Sequence, residues 1–286
     1  MSNSLKDDRF SLLTDMLPFI KQYSDRIFVI KYGGSLMEDV LLESKIIEDI
    51  CFLYSMGIKI VLVHGGGPFI NNWLTKLNIK PKFKDGIRLT DTKTMEVVEM
   101  VLAGKINKQL VALFNRNNIS SVGLSGKDSN LILSSQLFSS PDNLVGKVDN
   151  INTKILELLL NNNYIPVIAS IGMGINNQTH NINADTVAGC IAKSLKADKL
   201  ILLTDMPGIL LDINDPSSLI KEISLDRINL LRNNSTISGG MIPKVECCIE
   251  ALKSDVGSTH IIDGRISHAL LYEIFTKDRI GSMITF

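Results

Sequence analysis

The sequence predicts an α/β fold with a mainly parallel sheet covered on both faces. Short apolar runs of strand length alternate with helix-length segments through the chain. The runs are apolar along their whole length, as strands buried on both faces are. Several of them end in glycine-rich or polar turns, and in a parallel sheet such ends gather along one edge.

The elements follow in order. Residues 9–20, RFSLLTDMLPFI, put Phe10, Leu13, Leu17 and Ile20 on one helical stripe, widened by Leu12 and Met16. The stripe packs either on its own domain or on another subunit. Residues 27–30 read as the first strand, ending in Lys31, Tyr32, Gly33 and Gly34. Residues 39–56 read as a helix that stops near Gly57. The second strand, 59–63, ends in His64-Gly65-Gly66-Gly67-Pro68, and Pro68 suits the first turn of the next helix. Residues 79–88 form a basic loop or hairpin, followed by a helix from Thr90 or Asp91 and further helix over 105–117. Gly126-Lys127-Asp128 looks like a fragment of a P-loop, but no glycine stands five residues before Gly126, so the pattern fails. Residues 133–150 are loop or edge hairpin, 151–163 a helix and 165–171 a buried strand. Asn181 to Asp185 lead into an apolar helix reaching about Lys196. The strand over 199–204 ends in Asp205-Met206-Pro207-Gly208. Gly239 and Gly240 open a helix that carries Lys244, then come a late strand over 259–262 and a last helix over 267–277.

The chain has 286 residues and a formal net charge of +0, so nothing in its charge points to a nucleic acid or an anionic membrane surface. No apolar run has the length of a membrane span. The first residues lack the basic-then-apolar layout of a secretory signal. Cys51, Cys190, Cys247 and Cys248 show no CxxC spacing and read as reduced thiols of a reducing compartment. The four histidines show no metal-ligand spacing, and no metal site is expected.

Together the polar strand ends supply Lys31, Gly33, Gly34, Gly65 to Gly67, Asn181, Asp185, Asp205 and Lys244. Two lysines beside bare backbone N–H groups suit phosphoryl transfer, which needs positioning and charge neutralisation more than covalent chemistry. Asn181 and Asp185 stand four apart, so one helical turn would place them on one face if the helix starts early enough. An aspartate between two lysines would orient both ammonium groups. Arg88 has the fork that matches a substrate carboxylate. Taken singly, Arg88 reads more commonly as a solvated loop arginine, and Lys244 most often as a surface helix lysine.

The stretches VIKYGGSLM, LVHGGGP, DGIRLTD, VGLSGKDSNLI, NINADTVAG, LLTDMPGIL and GGMIPKV, in that order, resemble the N-acetyl-L-glutamate kinases of the amino-acid kinase superfamily. The resemblance spans nearly the whole chain. It implies a three-layer αβα sandwich around a mainly parallel open sheet, with an added N-terminal helix over 1–24. It implies a substrate-binding lobe over 27–180 and a nucleotide-binding lobe over 181–286, within a single kinase domain. It implies that Lys31 and Lys244 stabilise the transferring phosphoryl group, that Asp185 organises them, and that Gly66, Gly67, Arg88 and Asn181 hold N-acetyl-L-glutamate. ATP with Mg2+ would lie near Gly33, Gly34, Thr204, Asp205 and Gly208. The implied reaction is phosphorylation of the side-chain carboxylate, on the arginine pathway.

The N-terminal helix and the tail HIIDGRISHALLYEIFTKDRIGSMI resemble the arginine-inhibited branch, in which that helix interlaces dimers into a hexameric ring, a trimer of dimers. This implies an arginine site at Tyr23, Glu273 and Gly281. The branch commonly reads G-I-G-T where this chain has Arg279-Ile280-Gly281-Ser282, so a bulky cation stands where an arginine ligand would bind. The same features look closest to cyanobacterial and plastid members. That implies the bacterial cytoplasm or the plastid stroma, and a PII-type signalling protein as a partner. Two other readings stay open: a glutamate or aspartate kinase of the same superfamily, and a non-catalytic amino-acid sensor.

Overall fold

The computed structural model describes residues 14, 16–84, 86–140, 142–233, 237, 239–276 and 278–286. A helical segment, α1, covers residues 16–23. The chain then runs through β1 (Ile27–Tyr32), α2 (Val40–Ser55), β2 (Lys59–His64), α3 (Gly67–Lys76), the hairpin β3 (Lys82–Lys84) and β4 (Ile87–Leu89), and α4 (Thr92–Glu99). A π-helical stretch, Met100–Ile106, joins α4 to α5 (Asn107–Arg116). Next come β5 (Ser121–Ser125), β6 (Ile132–Gln136), β7 (Gly146–Ile151), α6 (Lys154–Asn161), β8 (Ile165–Ala169), β9 (Ile171–Met173), β10 (Thr179–Asn181) and α7 (Ala184–Leu195). The remainder holds β11 (Lys199–Thr204), β12 (Glu222–Ser224), α8 (Leu225–Asn233), α9 (Met241–Leu252), β13 (Ser258–Asp263), α10 (Ala269–Phe275) and β14 (Ser282–Thr285).

Eight strands form one sheet in the order β12-β14-β13-β11-β1-β2-β8-β5. Every neighbouring pair is parallel except β13 with β14. A smaller sheet, β10-β9-β6-β7, lies beside it. The expected α/β class with a mainly parallel sheet is what the chain adopts.

Side chains of a strand point alternately to its two faces. Phe28, Ile30 and Tyr32 enter one apolar core with residues of α2 to α5 and α10, whereas Val29 enters the other with residues of α6 to α9. The sheet is therefore the middle of three layers. The alternation also decides the site. Lys31 shares the face of Val29 and so meets α7 and α9, while His64 shares the face of Leu62 and so meets α5.

Several local expectations change. The run over 165–171 is two strands, because β8 belongs to the main sheet and β9 to the smaller one. The helix expected over 105–117 continues from α4 through the π-helical stretch. The last helix, α10, lies within the expected 267–277, and β14, not expected, follows it and pairs with β13. Phe10, Leu12 and Leu13 lie outside the described residues. Where α1 is described, Met16, Phe19, Ile20 and Tyr23 pack on the chain's own core, and Leu17 is 49% exposed. The buried stripe is thus one residue out of phase with Leu17. Gly126, set aside as a P-loop glycine, donates its N–H to Ile171 O at 2.8 Å and joins the two sheets.

Candidate active site

Lys31 lies near the carboxyl end of β1, in register with Leu202 of β11 and Val63 of β2. Asp185 sits in the first turn of α7, whose N-cap Asn183 accepts bonds from the N–H groups of Asp185 at 2.8 Å and Thr186 at 3.2 Å. Lys244 sits at the start of α9. The three side chains converge. Lys31 Nζ stands 2.9 Å from Asp185 Oδ1, and Lys244 Nζ donates to Asp185 Oδ2 at 2.8 Å. Oδ1 has the Lys31 ammonium as an ion-pair contact but no aligned hydrogen bond. Burial pushes the Asp185 carboxyl up, but the two ammonium groups outweigh it and hold the pKa at about 2. Burial lowers the pKa of Lys31, Asp185 opposes that, and the nearby Lys244 charge adds to it.

The two glycine turns meet beside this triad. A Cβ on Gly34 would lie 3.0 Å from the backbone nitrogens of both Gly66 and Gly67, and one on Gly33 would lie 3.1 Å from Leu203 O. Only bare backbone allows that approach.

Two cavities are relevant, one reaching Ala184, the neighbour of Asp185, and the other reaching Lys244. One, of about 190 Å³, is lined by Gly66, Gly67, Phe83, Arg88, Asn181 and Ala184 among others. Arg88 is buried, donates from Nη2 to Gly67 O at 3.2 Å and lies over the Phe83 ring at 4.8 Å. Its Nη1 is buried without a hydrogen-bond partner. Burial lowers the Arg88 pKa, yet a guanidinium keeps its charge, so Nη1 is a buried donor without a partner on a residue that lines this cavity. Asn181 donates from Nδ2 to Thr90 Oγ1 at 3.0 Å, and Thr90 Oγ1 donates to Arg88 O at 2.9 Å. Sequence reading gave Thr90 only as a possible helix start, a place that Asp91 takes as N-cap, and gave Phe83 no role. Their signal was proximity to Arg88 in a short polar hairpin.

The other cavity, of about 280 Å³, is lined by Asp205, Gly208, Ile209, Gly239, Gly240 and Lys244 among others. Gly208 has φ +136, a conformation that favours glycine, and a Cβ there would lie 2.6 Å from Ser282 Oγ. Thr204 is buried at the end of β11 and donates to Asp205 Oδ1 at 3.2 Å. Thus Asp205 and Gly208 line this cavity, while Gly33, Gly34 and Thr204 do not. Among the described residues, no group of three His, Cys, Asp or Glu side chains is gathered to hold a metal ion.

Asn181 and Asp185 do not share a helical face, in contrast to one sequence reading. Asn181 ends β10, and α7 begins at Ala184 because Asn183 caps it. The tertiary fold brings the two to one site.

Tyr23 lies at the opposite, amino edge of the sheet beside Lys199, and Glu273 joins that cluster through His260, whereas Gly281 lies level with Ile262 toward the carboxyl end of β13. Glu273 is buried and accepts from Ile280 N at 3.2 Å and Gly281 N at 3.1 Å, and its other oxygen meets His260 Nδ1 at 2.8 Å. Arg279 Nη1 stands 3.8 Å from Glu273 Oε1. Lys199, the first residue of β11, lies over the Tyr23 ring at 5.0 Å and reaches His260 Nε2 at 3.2 Å. Burial lowers Lys199 to about 8 and His260 to about 4. A lysine opening an otherwise apolar strand was the sequence signal for this cluster.

Residues 26–263 match the model of the amino acid kinase family. Among curated relatives, the acetylglutamate kinase of Gracilaria tenuistipitata var. liui is 57% identical over 97% of this chain and 98% of its own. Those of Pyropia yezoensis and Prochlorococcus marinus (strain MIT 9515) are 54% and 52% identical, each over 98% of its own length. Among solved structures, the N-acetylglutamate synthase of Neisseria gonorrhoeae matches 97% of this chain and 63% of its own with a TM-score of 0.86 at 23% identity. A Giardia carbamate kinase matches 92% of this chain and 99% of its own with a TM-score of 0.68 at 18% identity. These structures show the shared fold.

The triad yields a pH test. Asp185 is held below its ordinary pKa, so its contribution to stability is complete above 3.8 and is lost as pH falls through about 2. That interval corresponds to roughly 2 kcal/mol at about 1.4 kcal/mol per unit. Denaturant unfolding at a series of acidic pH values should show a shallower decline for Asp185→Asn than for the unaltered chain. Equal slopes would mean that the carboxylate is not stabilised by the lysines.

Proposed function

The chain belongs to the amino acid kinase family, and from this we propose that it transfers the γ-phosphoryl group of ATP to the side-chain carboxylate of N-acetyl-L-glutamate, giving N-acetyl-L-glutamyl phosphate and ADP. This is the acetylglutamate kinase step of arginine biosynthesis. Relatives above half identity over nearly the full chain support the reaction. The observation that carries the residue roles is Asp185 held between Lys31 and Lys244, with Lys244 lining one cavity and Ala184, next to Asp185, lining the other.

The first cavity suits the amino-acid substrate, because Arg88 and Asn181 stand in its lining as partners for polar groups. The second suits the nucleotide, whose phosphates would reach the glycine-lined start of α9 and Lys244. Magnesium would enter with ATP as part of that substrate and would offset its phosphate charge. The lobes are 27–180 for the amino acid and 181–286 for the nucleotide, with Asn181 to Ala184 of the second lobe also lining the amino-acid cavity. As one carboxylate oxygen bonds to phosphorus, the bond from phosphorus to the ADP oxygen breaks, and negative charge spreads over the transferring oxygens. Lys31 and Lys244 neutralise that charge from fixed positions. Asp185 keeps both ammonium groups in place and takes no proton. A carboxylate nucleophile needs no general base.

Regulation and assembly belong to the same reading. Tyr23, Glu273 and Gly281 form an arginine site, and the N-terminal helix joins dimers into a hexamer that a PII-type protein can engage. The chain's compartment is the bacterial cytoplasm or the plastid stroma. Arg279 already sets its guanidinium against Glu273, so free arginine meets a competing cation.

A coupled ADP-release assay with N-acetylglutamate, glutamate and aspartate tests the reaction. Turnover is expected with N-acetylglutamate. Lys31→Ala and Lys244→Ala should each lower it by roughly 10³-fold or more while staying folded. Arg88→Lys should weaken N-acetylglutamate binding and spare ATP, because lysine lacks the two-bond fork. Preference for glutamate or aspartate, or no turnover, would refute the assignment. For regulation, Arg279→Gly should lower the arginine concentration for half-inhibition on the order of tenfold, as expected for removing one competing cation. An unchanged arginine response would remove Arg279 from the site.

A further inference from the structure

The Gly65–Gly67 turn is held from below by a buried network that the reaction itself does not use. His64 closes β2 and is completely buried. Its Nδ1 lies 3.0 Å from Gly65 O, and a carbonyl oxygen only accepts, so Nδ1 carries the proton. Its Nε2 lies 3.2 Å from Asn107 Nδ2. That amide nitrogen also donates to Val167 O at 2.8 Å and approaches Leu124 O at 3.3 Å, which fixes which way the amide faces. Asn107 therefore presents a donor to Nε2 and selects the Nδ1–H tautomer. Burial lowers the His64 pKa to about 4, so the ring is neutral at working pH.

The π-helical stretch explains why Asn107 stands there. It ends at Ile106, and its side chains cover the other side of the turn. A Cβ on Gly66 would come within 2.3 Å of Ile106 Cδ1 and 2.7 Å of Leu102 Cδ2. Room for the Asn107 amide is made by Gly123, where a Cβ would lie 1.9 Å from Asn107 Oδ1. Such π-helical insertions are frequent at functional sites.

In a planar trans peptide the C=O and N–H point in opposite directions. Pinning Gly65 O on the His64 side therefore turns the Gly66 N–H the other way. Gly66 is the N-cap residue of α3, where the helix supplies that N–H with no partner. We infer that His64 is a positioning residue: its Nδ1–H, selected by Asn107, fixes the Gly65–Gly66 peptide so that the Gly66 N–H faces the N-acetylglutamate cavity. This rests on reading that cavity as the amino-acid site.

The test uses the full chain in the ADP-release assay, with three variants and one spectrum. His64→Asn keeps an N–H donor within reach of Gly65 O, whereas His64→Gln places its amide nearer the former Nε2 and His64→Ala has no donor. His64→Gln and His64→Ala should lower kcat/KM for N-acetylglutamate on the order of 10- to 100-fold, the scale of a misplaced binding group, with KM for ATP unchanged. His64→Asn should restore most of that loss. Imidazole 15N shifts of the unaltered chain should show a neutral ring protonated on Nδ1, a readout that survives if a variant fails to fold. Equal behaviour of the Asn and Gln variants, or a ring protonated on Nε2, would overturn the inference. An unaltered chain that does not phosphorylate N-acetylglutamate would instead overturn the substrate reading.

Discussion

The structure depends on one electrostatic arrangement: two ammonium groups share a buried site only because Asp185 stands between them. Without it, burial and mutual repulsion would disfavour both charges. With it, each ammonium group has an opposite charge within 2.9 Å and keeps further N–H donors for a charge that appears only during reaction. The aspartate also ties three elements together, since Lys31 comes from the middle of the sheet, Asp185 from α7 and Lys244 from α9. Each is placed by its own local rule: the end of a strand, a capped first turn and a glycine-opened helix.

The sheet separates two polar clusters by strand direction. Parallel strands bring their carboxyl ends to one edge, which gathers Lys31, the glycine turns and Asp205. Their amino ends gather Lys199, Ser258 and, through His260, Glu273 on α10. β11 takes part in both, with Lys199 at one end and Thr204 at the other. A shift of β11 along its axis would touch both clusters at once, so the strand is a physical link between the proposed regulatory and catalytic edges.

Much of this was legible in the sequence. The strand ends named Lys31, the glycine turns and Asp205, because glycine and lysine after an apolar run are local signals. Lys244 and Asp185 were legible as charges at helix starts, but their meeting was not, since 59 positions separate them. Facing was also hidden. Strands buried on both sides carry no alternation, so nothing in KLILLT told that Lys199 points to α10's side and not to α7's. The antiparallel β14 was missed because its four residues carry no turn signal before them that differs from a helix end. Asn181 was chosen partly on helical spacing to Asp185, and that reason failed although the residue does line the cavity.

The most direct measurement compares Asp185→Asn with the triple replacement Lys31→Met, Asp185→Leu, Lys244→Met by denaturant unfolding and ADP release. Removing the carboxylate alone leaves two buried ammonium groups facing each other and should cost about 3–5 kcal/mol, whereas removing all three charges should recover most of that stability. Both proteins should be inactive, the triple replacement while well folded. Turnover by the triple replacement, or an Asp185→Asn protein as stable as the unaltered chain, would contradict the account.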